Sequence, residues 1–192
     1  MIRARFLPLA GRRQPQYRRV LLLLSIAACM CFASASLART ERRPSVEYQV
    51  KASYLYNFLQ FVEWPKEAFS GDHIVLCVFG ENRFGSALAA ATGETSRGRR
   101  IAVKHLATSE ELESCHVVFL SSSERWREFQ VLRALAGRPV LTIGETKGFT
   151  DRGGIINLVP VGNTIRFEIN QRAAERNRLK VSAQLLQLAV RR

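Results

Sequence analysis

The stretch Ile74-Val75-Leu76-Cys77-Val78-Phe79-Gly80 decides the fold. Six apolar residues in a row leave no solvent face, so the segment suits a strand covered on both sides, as in a parallel sheet, and the glycine ends it. Downstream, residues 100 to 105, with Ile101 and Val103 on one face, then 116 to 120 and 139 to 143 have the same character and predict three more strands. Between them lie a short helix over 85–91, a loop over 93–98, a turn from Ser109 to Leu112, and a helix over 124–136. The Ser121-Ser122-Ser123 run opens that last helix, Gly137 stops it, and Trp126, Phe129, Leu132 and Leu135 are expected to face inward. Strands alternating with helices imply a parallel sheet with helices on both faces. Residues 155–159 and 164–169 add a hairpin joined by Pro160-Val161-Gly162-Asn163, and 171–177 and 182–189 look helical. The glycine-rich, charged segment 144–154 is expected to be a surface loop. The fold class is therefore α/β: a single-domain sandwich whose mostly parallel central sheet of about six strands is flanked by helices and ends in a C-terminal hairpin.

Upstream of the decisive strand, residues 46–62 carry Val50, Tyr54, Phe58 and Phe61 at helical spacing, with Leu55, Leu59 and Val62 broadening the apolar face. Ser45 suits the N-cap and Glu47 the first turn, and Trp64-Pro65 ends the helix, since proline disfavours helical geometry in the residue before it.

The first forty residues are different in kind. Arg3, Arg5, Arg12, Arg13, Arg18 and Arg19 precede an apolar run from Val20 to Phe32, and Ala33-Ser34-Ala35 and Ser36-Leu37-Ala38 have the small-x-small pattern of a cleavage site. The apolar run is short of the roughly 20 residues a spanning helix needs. Residues 1–38 are therefore expected to be a cleaved signal peptide, 39–45 a flexible lead-in, and 46–192 the working domain, with the periplasm as its compartment. Ile26-Ala27-Ala28-Cys29 is a lipobox-like alternative, in which Cys29 would be lipidated.

Cleavage changes the charge. The chain has 192 residues, 29 basic and 16 acidic, a net charge of +13. Six basic residues and no acidic one lie in the leader, so the remainder carries 23 − 16 = +7. Those charges are scattered, which favours a solvated basic surface that meets acidic partners or lipid headgroups over nucleic-acid binding. Only Cys77 and Cys115 remain after cleavage. An even pair in an oxidising compartment suggests a disulfide, with two buried thiols as the alternative.

No constellation for chemistry emerges. Gly80-Glu81-Asn82-Arg83-Phe84-Gly85-Ser86 has the glycine spacing of a phosphate loop but lacks its lysine, so a plain strand-to-helix turn is the better expectation. His73, His105 and His116 have no metal-ligand spacing, no serine sits in a hydrolase elbow, and Glu110-Glu111 lies on a polar turn. The expectation is a protein that is not an enzyme and has no catalytic residues, no metal and no cofactor.

Several segments together resemble the YfiR family of periplasmic regulators. They are Lys51-Ala52-Ser53-Tyr54-Leu55-Tyr56-Asn57-Phe58-Leu59-Gln60-Phe61-Val62-Glu63-Trp64-Pro65, Leu76 to Gly80, Cys115 to Leu120, Pro139 to Gly144 with Glu145, Gly148-Phe149, Gly153-Gly154, and Arg166-Phe167-Glu168-Ile169-Asn170. The resemblance implies a protein that binds the periplasmic domain of an inner-membrane diguanylate cyclase and holds it inactive, lowering cyclic di-GMP. It also implies a Cys77–Cys115 disulfide in the core and, for some members, sequestration by an outer-membrane lipoprotein. Some members carry a second cysteine pair flanking the loop near Gly153-Gly154, and this chain has none there. The alternative function is a periplasmic small-ligand sensing module that reports to a histidine kinase or another receptor. For partner binding, Phe149, Phe61 and Trp64 are the candidates, Phe149 because it stands in a glycine-flanked loop; a homodimer is a further candidate assembly.

Overall fold

The structure, a computed structural model, describes residues 45–190. The expected signal peptide, Cys29 and nearly all of the lead-in lie outside the described residues. The chain opens with α1 (Val46–Phe61) and runs into a two-residue strand, β1 (Val62–Glu63). The decisive apolar stretch is β2 (His73–Phe79), followed by α2 (Ser86–Ala89), β3 (Thr95–Ser96), β4 (Arg99–Leu106), β5 (Val117–Leu120), α3 (Glu128–Leu135) and β6 (Leu141–Gly144). The hairpin strands β7 (Ile156–Val161) and β8 (Thr164–Ile169), then α4 (Gln171–Arg176), β9 (Lys180–Val181) and α5 (Ala183–Leu188), complete the chain.

The main sheet has seven strands in the order β3-β4-β2-β5-β6-β7-β8, and β1 pairs with β9 in a separate ribbon. From β4 to β7 every pairing is parallel, while β3 and β8 close the edges in antiparallel fashion. Taken in chain order, the five parallel strands run 2-1-3-4-5, the order of flavodoxin-like doubly wound sheets. All six expected strands are present. The three missed strands, β1, β3 and β9, have two residues each, too few to show any periodicity.

Alternation along β2 divides the core in two. Ile74, Leu76 and Val78 pack with α1 on one face, together with Val117, Phe119 and Phe167, whereas Cys77 and Phe79 pack on the other with Val118, Val131 and Leu135. At β2–β5 the register pairs Leu76 with Val117 and Cys77 with Val118, so like faces meet like.

Three expectations are corrected. The buried stripe of α1 is Tyr48, Lys51, Ala52, Leu55, Phe58 and Leu59, and Val50 is exposed. The predicted helix over 124–136 begins as a 3-10 turn at Ser122–Glu124 and becomes α-helical only at Glu128. Its phase is then set by Glu128, Val131, Leu132 and Leu135, which leaves Trp126 75 % and Phe129 67 % exposed instead of inward. Glu128 takes the inward place because Arg152 donates to its Oε1 at 2.5 Å and Thr146 donates to its Oε2.

The third concerns the 144–154 segment, which turns inward. Phe149 is fully buried against the second core face, and a Cβ placed at Gly144 or Gly154 would collide with its ring. Two glycines thus form a slot that only a flat ring fills, and the expectation that Phe149 stands on the surface does not hold. Arg152 ties the loop down further, donating to the Lys147 carbonyl and the Thr146 hydroxyl, each at 2.9 Å.

Candidate functional site

In an open doubly wound sheet, ligands bind beyond the carboxyl ends of the strands, at the point where the strand order reverses. Here that point lies between β2 and β5. Gly80 leaves β2 with φ +97°, and a Cβ there would strike Ser123 and Glu124, so the loops after β2 and β5 press together. The Glu81 amide donates to the Ser123 hydroxyl at 2.9 Å, which fixes the two loops to one another.

The adjoining space is filled by a polar cluster. Glu145, just past β6, accepts from Lys51 Nζ at 2.7 Å, from the Ser122 amide at 2.8 Å and from the Tyr48 hydroxyl at 2.8 Å. Lys51 also pairs with Glu47 one helical turn earlier, and the Arg83 guanidinium donates to the Tyr48 hydroxyl at 3.3 Å. The Lys51 and Glu145 side chains are 5 % and 3 % exposed. Phe84 closes the apolar side, its ring edge-on to Tyr48 and to Phe119.

Burial alone would push the Glu145 carboxyl up, but the Lys51 hydrogen bond, the Ser122 amide, the Lys51 charge and the Tyr48 hydroxyl outweigh it and hold the group below its ordinary value. Burial and the neighbouring carboxylate push the Tyr48 hydroxyl up, so it stays a neutral donor. Chemically the result is a satisfied clamp: an ionised carboxylate whose donors come from α1 and from the loop after β5. It staples the first helix over the switch point.

Sequence reasoning missed Tyr48, Lys51 and Arg83 as partners and had Glu145 only within a resemblance. The available signal was Lys51, a charge on the 48/51/52/55/58/59 stripe where every other member is apolar or aromatic. Cys77 and Cys115 are joined, with Cα atoms 6.0 Å apart. Their bond links β2 to the residue two before β5, on the face of the sheet opposite α1 and Tyr48.

Phe61 and Trp64 also lie away from the clamp. Both are half-buried against the first core face, and Trp64 Nε1 donates to the His116 carbonyl at 3.2 Å. Phe69 stacks on the His116 ring at 4.7 Å and carries the Arg99 guanidinium at 4.0 Å on its own ring. The Val75 amide donates to His116 Nδ1, so the Nε2 proton points at the Ala68 carbonyl. Burial lowers the pKa of this histidine and keeps it neutral. The structure therefore does not bring Phe149 together with Phe61 and Trp64: Phe149 packs in the second core face and the other two against the first, on opposite sides of the sheet. Among the described residues no group of His, Cys, Asp and Glu converges as a metal site, and no helix is long and apolar enough to cross a membrane.

A model of the YfiR/HmsC-like family matches residues 48–190. Among solved structures, the ABC domain in complex with L-Trp from Streptococcus pneumoniae is 9 % identical, with a TM-score of 0.48 over 74 % of this chain and 59 % of that one. A conserved domain protein from Vibrio cholerae O1 biovar El Tor strain N16961 is 12 % identical, with a TM-score of 0.47 over 74 % and 59 %. The chain thus spans about three-fifths of each of those two proteins.

Proposed function

The chain belongs to the YfiR/HmsC-like family, whose members are periplasmic and act through protein partners in diguanylate cyclase signalling, and from that premise we propose that it represses an inner-membrane diguanylate cyclase. The family match over residues 48–190 carries this reading. In it, residues 1–38 direct export and are removed, and the folded domain binds the periplasmic part of the cyclase and holds it in its inactive arrangement. Withdrawal of the regulator, for instance by an outer-membrane lipoprotein, then lets cyclic di-GMP rise.

The physical features are those of a binding module. The crevice that a doubly wound sheet offers to a ligand is filled by the chain's own Tyr48, Lys51, Phe84 and Glu145. Repression is then a matter of differential affinity: moving a two-state partner from 1:99 to 99:1 takes a preference of about 10⁴-fold for one state, about 5.5 kcal/mol. Deleting the gene should raise cellular cyclic di-GMP, and expression of the wild-type chain should restore it. Unchanged levels in a strain that normally makes the protein would refute repression.

A further inference from the structure

Phe129, one of the two exposed aromatics that the helix phase turns outward, borders a groove between α3 and α4. Its buried lining is Leu132 and Ala173 with the polar Thr142 and Asn177, and its exposed rim is Phe129, Arg133, Ala136 and Arg176, with Arg152 also lining it. Its volume is about 240 Å³, and no acidic side chain lines it. Small-molecule sites run from about 300 to 1,000 Å³, so this groove suits one large side chain better than a free ligand.

The charge is one-sided. Glu128 is drawn under the loop by Arg152 and is buried there, so it offers nothing to the groove. Arg133 and Arg176 stand in the last turns of α3 and α4, are exposed, and make no ion pair among the described residues. Phe129 and, in the turn just before α3, Trp126 are the most exposed aromatics among the described residues. Aromatic and arginine side chains around a depression with buried apolar residues are the composition of a protein-binding hot spot.

We propose that the α3–α4 groove is the docking site for an acidic segment of a partner protein, which inserts one aromatic or large aliphatic side chain between Phe129 and Ala173 while its carboxylates meet Arg133 and Arg176. This rests on the reading that the chain works by binding a protein, but not on which protein. Unpaired arginines on a rim without acids give attraction and orientation to carboxylates, and Phe129, Leu132 and Ala173 supply the apolar anchor. A concave floor distinguishes this surface from a flat membrane-binding face.

The test selects a phage-displayed random dodecapeptide library on the immobilised mature chain and measures the enriched peptides by titration, with Trp126 fluorescence as the reporter. Enriched peptides should be net acidic with an aromatic or large aliphatic residue. Arg133→Glu with Arg176→Glu should weaken them about tenfold, Phe129→Ala should weaken them by a similar factor, and Arg133→Lys with Arg176→Lys should retain most binding. These side chains are exposed, so melting temperatures should stay unchanged. No enrichment, enrichment without acidic bias, or binding indifferent to these variants overturns the proposal. So does tight binding to vesicles of phosphatidylglycerol and phosphatidylethanolamine that the double Glu variant abolishes, since that assigns the face to lipid. None of these outcomes depends on the gene-deletion result, so failure of the cyclase reading and failure of the groove are seen separately.

Discussion

Lys51→Met should destabilise the domain far more than the loss of a surface lysine would. Lys51 and Glu145 are 5 % and 3 % exposed and meet at 2.7 Å. Removing one partner of a buried pair costs about 3–5 kcal/mol, because the other charge is left in a low dielectric without compensation. The lower end applies here, since Tyr48 and the Ser122 amide still donate to Glu145. A domain of about 150 residues unfolds with an entropy near 0.3 kcal/mol/K, so about 3 kcal/mol lowers the melting temperature by about 10 °C. Thermal unfolding followed by circular dichroism reads this directly. Lys51→Met with Glu145→Gln should recover most of the loss, because the orphaned charge is then gone.

The pH dependence makes the reasoning more exposed. In the wild type the Glu145 carboxyl lies below its ordinary value of 4.5, so its contribution is present above that value and is lost only as pH falls through the lowered one. With Lys51 removed, burial dominates and the folded-state pKa should rise above 4.5. Stability is then greatest below the ordinary value and falls as pH rises through the raised one. The Lys51→Met deficit should therefore grow between about pH 5 and pH 8. A deficit under about 1 kcal/mol at pH 7, or one equal at both ends of that range, would refute the account of Glu145 as a buried ion.

Two other expectations follow from the packing. Phe149→Ala empties the slot between Gly144 and Gly154, so it should cost about 3–5 kcal/mol; denaturant unfolding with little change in midpoint would contradict the burial of the ring. The Cys77–Cys115 bond closes a loop of 38 positions, for which chain entropy gives about 4 kcal/mol, and Cys77→Ala with Cys115→Ala should lower stability by that order. Two free thiols in non-reduced protein taken from the periplasm, measured by mass spectrometry, would remove that argument.

What the sequence disclosed depended on how many residues carried each signal. Ile74 to Phe79 is long and continuous, and its strand, its double burial and its place near the sheet's centre were all legible. The Gly162-Asn163 turn was equally clear, since Val161 pairs with Thr164 around it. The phase of α3 was not legible. Trp126 and Phe129 look like core residues by composition, and only the three-dimensional pairing of Glu128 with Arg152, 24 positions away, shows why a carboxylate faces inward and two aromatics do not. The clamp was hidden for the same reason: Tyr48, Arg83, Ser122 and Glu145 are separated along the chain by up to 97 positions, and no local pattern joins them.

The location of that clamp bears on function. A doubly wound sheet ordinarily keeps the reversal between its first and third strands open, and there the strand-end loops hold a ligand. In this chain Lys51 and Tyr48 reach across from α1 to Glu145, and Arg83 and Phe84 come in from the loop after β2, so the reversal point is occupied by internal contacts. The surface left for recognition then consists of features that the fold exposes despite their apolar character, and Trp126 and Phe129 are the foremost of these. Exposing two large aromatics carries an aggregation cost unless something covers them. The same helix phase that buries Glu128 beneath Arg152 also turns Phe129 outward onto the groove that Arg133 lines, so the device that stabilises the 144–154 loop is also the one that builds the groove.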